Sequence, residues 1–451
     1  MSGLPCPDNG TDPVSSPSTR IVVERYTDIV GPSIERLGPV ALGGQIEFRT
    51  VPGCWGPMIT PELRSGHEVT LPVAVDGVVA GDAVVLTVVS IRSLSLAATS
   101  GTDSAWEGRY VDDPTVAAIC PSCKARGMPH LRPKSRLEGI GDDAVRCLAC
   151  GSSVAPVRMR HGYTMLFDDR YPVGITVDAV RAAELAKNGR EVMGISQHAL
   201  QHPSVSLARS DLVGMMARCR LSVGNLGCIP AIDMPSSHNC GDFGASLVNA
   251  AHDYRITADQ LLLRTDAHMD IAAVREGSVL VVPAKVDGGG IYAGDVHAMI
   301  GAGEIAGHAT DIAAEVVVNV ESIPGLFLEG PILIPRVEDL PYLARPFSRD
   351  EIEHGAALAG RNQTPLEPSV LPIQVLGSGP WLNEAVDNAI CRAARLLDLE
   401  HDEILNRATV TGGVEIGRLP GFVQLSLQVP VDHLDSVGLG RVVRQSYGQS
   451  D

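Results

Sequence analysis

Aromatic residues are scarce: 3 Trp, 8 Tyr and 6 Phe in 451 residues. That composition argues against the stacking platforms on which single-stranded nucleic acid is held. Positive charge is short as well, with 36 Lys+Arg against 53 Asp+Glu and a formal net charge of −17, so the chain as a whole repels a polyanion. Long apolar runs are missing. The longest, such as Ala83 to Val89, are short and broken by Thr, whereas a bilayer-spanning helix needs roughly 18 consecutive apolar residues. The first residues, MSGLPCPDNGTDPVSSPSTR, show no basic end followed by an apolar stretch, and read as a polar tail rather than a signal peptide. These features predict a cytoplasmic protein without membrane association. Cysteine is too dilute, 10 in the whole chain, for a secreted disulfide framework. The length allows about three compact units, enough to bury a core without cross-links.

Four of the cysteines are nevertheless grouped. Cys120-Pro-Ser-Cys123 and Cys147-Leu-Ala-Cys150 are each C-x2-C, and two such turns aim four thiolates at one tetrahedral ion. The segment between them is rich in Pro, Gly and charge and has no core of its own, so a structural zinc ribbon is expected, the metal supplying its folding energy. Four sulfur ligands leave no open coordination position, which makes this ion structural and not catalytic. The ribbon is also a basic island, with Arg132, Lys134 and Arg136 among its charges. A solvated face or a subunit contact is the expected role of that island on so acidic a protein.

The fold class expected is α+β: mostly β, in sandwich- or barrel-like sheets, with a C-terminal α+β segment and the inserted zinc ribbon. Residues 66–91 alternate β-branched runs with Asp-Gly and Gly-Asp turns, the pattern of hairpins. Similar runs recur at Ser278 to Val286, Ala314 to Val320 and Phe422 to Pro430. Helices are expected from Asp178, with Asn188-Gly189 as the stop, from Leu382 to Asp398, and at HDEILNRA. The predicted division is a disordered tail at 1–20, an N-terminal β-rich part at 21–115, the ribbon at 116–160, a central β-rich catalytic part at 161–340, a Pro-rich connection at 341–370, the C-terminal segment at 371–440 and a tail at 441–451.

The densest polar constellation runs from Arg264 to Glu304. His268 and Asp270 precede a predicted strand, Gly288-Gly289-Gly290 ends it, and Asp295, His297 and Glu304 follow in a Gly-rich stretch. Acid, base and metal-ligand types thus fall on adjacent loop ends, with glycines that let backbone approach a small ligand. GAGEIAG is not a phosphate loop, because its glycines do not read G-x-G-x-x-G and no Gly-Lys-Ser/Thr is present.

This block resembles the acetamidase/formamidase family of amide hydrolases. The stretches that carry the likeness are DAHMD ending at Asp270, VVPAKVDGGG, GDVHA from Gly294 to Ala298, and GAGE from Gly301 to Glu304. Upstream, GHEVTLPVAVDGVVAGD with His67, and GNLGCIP from Gly224 to Pro230, are similar to family elements; downstream, so are LNEAVDNAICRAARLLD and TGGVEIGRL. The likeness covers about residues 40 to 435. His268 stands where the family usually has Asn, and Ala302 replaces an acid. What the resemblance implies is therefore amide hydrolysis, with neither formamide nor acetamide carried over as substrate.

An amide resists water because its carbonyl is resonance-stabilised and its amine leaves poorly, so a site must polarise oxygen, activate water and protonate nitrogen. The resulting expectation is a second divalent ion, zinc by preference, held by some of His67, Asp270, Asp295 and His297. Glu304 would carry the proton, with Asp295 and His297 counted among the catalytic groups. His268, Gly289 and His238 are expected to line the substrate, a small amide, and a homo-oligomer is expected from exposed hairpin edges and the ribbon. Two other readings stay open: a thiol amidase using Cys240 beside His238, and a non-catalytic protein whose basic ribbon engages nucleic acid or an acidic partner. His198 and His202, at i and i+4, lack the Glu of H-E-x-x-H; Asp82 reads as a turn former.

Overall fold

The run Val279–Pro283 is apolar at every position and buried on both faces, the signature of a strand lying inside a domain rather than on its surface. The computed structural model describes residues 17–53, 67–105, 157–199, 210–239 and 257–448, apart from 169, 171, 368 and 420, together with a few positions between 106 and 156. Val279–Pro283 pairs antiparallel with Ala83–Ser93 on one side and with Ile332–Ile334 on the other. From there the sheet extends through Ala314–Ile323 to Leu37–Arg49 in one direction. In the other it runs through Val370–Ser378 and Phe422–Pro430 to Gly413–Arg418. The strand Ile291–Met299 joins the same 15-stranded sheet through Val69–Thr70 and Val73–Val75, and carries Ser222–Cys228 and Thr310–Ile312 as partners.

Period-two alternation separates the two largest of the four buried apolar clusters among the described residues. Leu280 and Val282 face one, with Leu86, Val88, Val316 and Phe48; Val279 and Val281 face the other, with Ile373, Leu425 and the helix Leu382–Leu397. That helix presents Ala385, Ala389, Ile390 and Ala393 inward at helical spacing. Each fully buried Leu, Ile or Val contributes about 1.5–3 kcal/mol of transfer free energy. A smaller sheet stands apart, in the order Met216–Arg218, Val173–Val177, Val157–Phe167, Ala97–Ala105.

The mostly β, α+β class is what the structure shows. Asp178 caps Ala179–Ala186, its carboxylate accepting from Arg181 N at 2.8 Å. Asn188-Gly189 opens a further short helix, Gly189–Val192, instead of ending the chain's helical course. The expected connection at 341–370 holds the helix Arg349–Arg361, closed by a capping box between Ser348 and Glu351 that the Pro content obscured. A strand begins at Ser18, inside the segment expected as tail, and pairs with Leu37–Arg49. At the other end Gly440–Ser446 is a helix with Val442 and Val443 buried, where a tail was expected. Cys120 and Cys147 lie outside the described residues, as do Arg132, Lys134, Arg136, His202 and Cys240. Cys123 and Cys150 are exposed turn positions, and between the two pairs His130–Leu131 and Val145–Arg146 form a two-stranded ladder. Among the described residues no helix is long and apolar enough to cross a membrane.

Candidate active site

Alternate residues of a strand share a face, and on Ile291–Met299 this brings Asp295 and His297 together, with His297 Nε2 3.5 Å from Asp295 Oδ2. The neighbouring Thr310–Ile312 strand sets Asp311 in register with His297, 3.3 Å from Nε2 to Oδ1. Opposite lies the loop before Val279–Pro283. It is pinned to the strand Ser222–Cys228 by an isolated bridge between His268 and Asn225, and by Met269 N and Asp270 N donating to Gly224 O at 2.8 and 3.1 Å. His268 Nε2 is thereby 3.1 Å from Asp270 Oδ2 and 3.2 Å from Asp295 Oδ2. His67 closes the ring from the segment before Val69–Thr70, its Nε2 3.4 Å from His268 Nε2 and 3.8 Å from Asp295 Oδ2.

The outer ring nitrogens are held from behind. Ser236 Oγ donates to the His67 carbonyl at 2.9 Å and lies 3.3 Å from His67 Nδ1. His268 Nδ1 donates to the Ser237 carbonyl at 2.9 Å, the tautomer that turns Nε2 inward. Both serines belong to the single turn Ser236–His238, whose third residue, His238, is itself buried.

Backbone and glycine geometry point to the same place. Of the seven non-glycine residues with positive φ among the described residues, Asp270, Asp295 and Glu304 are three, and such conformations persist where surrounding structure enforces them. A Cβ on Gly224 would sit 2.4 Å from Asp270 Oδ1 and 2.5 Å from His297 Cε1, and one on Gly53 1.9 Å from Asp295 Oδ1. These two glycines let the backbone lie directly against the cluster.

Ionisable groups are concentrated here. Asp270, Asp295, Glu304 and Asp311 are buried together, and Arg418 is the one arginine that contacts them among the described residues. Arg418 donates from Nη1 to Asp270 and places Nε 3.1 Å from Glu304 Oε2. Burial lowers the His67 imidazole to about 4, so it is neutral and offers a lone pair. Burial would do the same to His297, but Asp295 and Asp311 outweigh it and raise the ring to about 10. Asp295 is held well below the usual range, burial being overcome by His297, His67 and the bonded His268. Burial, with Asp270 and Asp295 adding like charge, keeps Glu304 well above the usual range despite Arg418. Burial and Asp295 lift Asp311 to about 7.

His67, Asp270, Asp295, His297, Glu304 and His268 thus meet, as the sequence suggested. Gly289 does not join them: it turns at φ +63 against Cys228, Val84 and Val78. His198 is an exposed turn residue. Asp82 forms its turn, accepting from Val79 N at 2.9 Å and Gly325 N at 2.8 Å. Arg418 and Asp311 are site residues that sequence reasoning missed. Arg418 lies more than 100 positions from its partners, at the end of a strand bridged to Gly303; the TGGVEIGRL element holds it, but nothing within that element says which residues it meets.

His67, His268 and Asp295 offer ligand atoms within 4.8 Å of one another, as do Asp270, Asp295 and His297. Asp270 Oδ1, Asp295 Oδ1, both oxygens of Asp311 and both ring nitrogens of His297 make no hydrogen bond among the described residues. Buried polar atoms left this way are costly unless an ion or water satisfies them. Imidazole nitrogens and carboxylate oxygens converging in this way are the donors that a divalent transition metal takes.

The sequence matches the acetamidase/formamidase family model over residues 54–261 and 250–432. No curated protein matches it. Among solved structures, a recombinant predicted acetamidase/formamidase from Thermoanaerobacter tengcongensis is 15% identical, with 93% of this chain and 98% of that chain covered and a TM-score of 0.52, a likeness of fold. An acetamidase from Yersinia enterocolitica is 15% identical over 92% and 93% of the two chains, with a TM-score of 0.49.

Proposed function

Because the chain belongs to the acetamidase/formamidase family and is an amidohydrolase, we propose that it hydrolyses the C–N bond of a small non-peptide amide with a divalent ion, zinc by preference, as its cofactor. His67, His268, Asp270, Asp295 and His297 would hold the ion. The observation that carries this reading is the meeting of buried imidazole nitrogens and carboxylate oxygens, several of them without hydrogen bonds, in two triads that share Asp295. A bound divalent ion supplies Lewis acidity, polarising the amide carbonyl and acidifying a water.

The chain's own groups do the rest. Ser236 and the Ser237 carbonyl fix the two imidazoles in place. Glu304, kept protonated by burial, gives its proton to the departing nitrogen as the C–N bond breaks, and recovers one from the incoming water. Arg418 holds that carboxyl at the edge of the cluster. The products are a carboxylic acid and ammonia or an amine. The four ribbon cysteines, Cys120, Cys123, Cys147 and Cys150, would bind a second, structural zinc.

The test is metal content per chain by elemental analysis, alongside amide turnover, in the wild type, in His297→Ala and Asp295→Ala, and after removal of the ribbon cysteines. The expected result is one ion lost with the cysteines while another is retained, and that second ion lost together with turnover in the His297 and Asp295 variants. Full turnover by metal-free protein would remove the ion from the mechanism.

A further inference from the structure

Beside the cluster, and sharing Glu304 with it, lies a cavity of about 480 Å³. Its described walls come from two directions. Tyr163, Met165, Met215 and Ala217 belong to the small four-stranded sheet or its connections, while Met299 and Thr310 lie on the strands that carry His297 and Asp311, and Ile305 and Ala309 on the segment between those strands. Thr310 and Glu304 are the points where the cavity meets the catalytic groups, and Tyr163 Oη stands 3.5 Å from Thr310 Oγ1. The other ionisable side chains on the described walls are Arg218, which is exposed, the half-buried His308 and Tyr163 itself.

We propose that this cavity binds the non-reacting part of the substrate, and that the substrate is an amide bearing an extended, uncharged, apolar group, aryl or branched alkyl. The inference rests on the amidase reading and specifies its substrate class. Three features carry it. The volume falls in the range of roughly 300–1,000 Å³ that holds ligands of many non-hydrogen atoms, whereas acetamide offers a single methyl group. The walls include three methionines, whose flexible thioethers adapt to apolar and aromatic shapes. Ile305, next to Glu304, is 84% exposed and Met215 is 43% exposed, so the mouth offers apolar surface to a ligand that covers it. Because Glu304 is one of the residues lining the cavity, the substituent of an amide reacting beside Glu304 has these residues within reach.

The test compares kcat/KM for acetamide, hexanamide, phenylacetamide and 4-carboxyphenylacetamide with the full-length metal-loaded enzyme. The expected order is phenylacetamide above hexanamide above acetamide, spanning about 100-fold, with the charged analogue well below its parent. Met215→Asp lowers the phenylacetamide-to-acetamide ratio by about 10-fold, with circular dichroism confirming that the variant is folded. Met215→Leu, which keeps the wall apolar, retains the ratio. Equal kcat/KM for acetamide and phenylacetamide overturns the inference and leaves the amidase reading standing. If no amide is turned over, the amidase reading falls, and calorimetric binding of phenylacetamide decides the cavity: binding weakened by Met215→Asp supports it, and absence of binding overturns it.

Discussion

Arg418 Nε stands 3.1 Å from Glu304 Oε2, so the side chain proposed to carry the proton is held by an arginine from a strand near the far end of the sequence. The same guanidinium donates to Asp270, and one planar group therefore ties the acid to the cluster proposed to hold the ion. Lysine, a point charge, cannot make both contacts in that geometry. Replacing Arg418 with Gln is expected to lower kcat about 100-fold. It should also destabilise the fold by about 3–5 kcal/mol, because buried carboxylates lose their cation. Arg418→Lys should recover more of the stability than of the rate, as read by urea denaturation and steady-state kinetics.

Glu304 sets an alkaline limb. Its carboxyl is raised well above the usual range by burial, and the acid form is the one that donates. Turnover should therefore be sustained at low and neutral pH as far as this group is concerned, and fall as pH rises through its pKa. Glu304→Gln should reduce kcat by about 10²–10⁴-fold and abolish that limb. A pH–rate profile of both proteins checks it, and an unchanged limb in the variant would assign it to another group.

Gly224→Ala adds one methyl group where Asp270 Oδ1 and His297 Cε1 leave no room. The expected cost is about 1–3 kcal/mol of stability from overpacking, with a much larger proportional loss of the proposed active-site metal, since two of its proposed ligands must move. Elemental analysis and thermal denaturation, run together, separate the two effects.

Cys228 is fully buried, and burial pushes its thiol up to about 12. At pH 8 it should resist alkylation by iodoacetamide in the native protein and react once the chain is unfolded. Peptide mass mapping of both states is the measurement; rapid labelling of native protein would show that the Ser222–Cys228 strand opens readily.

Much of the fold was legible because its signals are local. Asp178 announces the helix it caps, and the apolar run around Val281 announces a strand buried on both faces. Where a local signal was masked, as by the prolines around Arg349–Arg361, the reading failed even though the capping box Ser348–Glu351 was there to be found. Within the site, Asp295 and His297 share a strand face through period-two geometry, and His268 and Asp270 are close to them in sequence. Those residues were readable.

Asp311 and Arg418 were not, and neither was the exclusion of Gly289. Residue types and short-range periodicity suffice to name the chemistry available: imidazoles, carboxylates, glycines and a likeness of motif. They do not say which of several acidic or basic residues arrive at the same point. That choice rests on strand register, which pairs Asp311 with His297, and on a bridge that brings Arg418 beside Gly303. Both contacts depend on backbone hydrogen bonds between distant segments, and the free energy that selects them is spread over two apolar cores rather than written beside the residues they position.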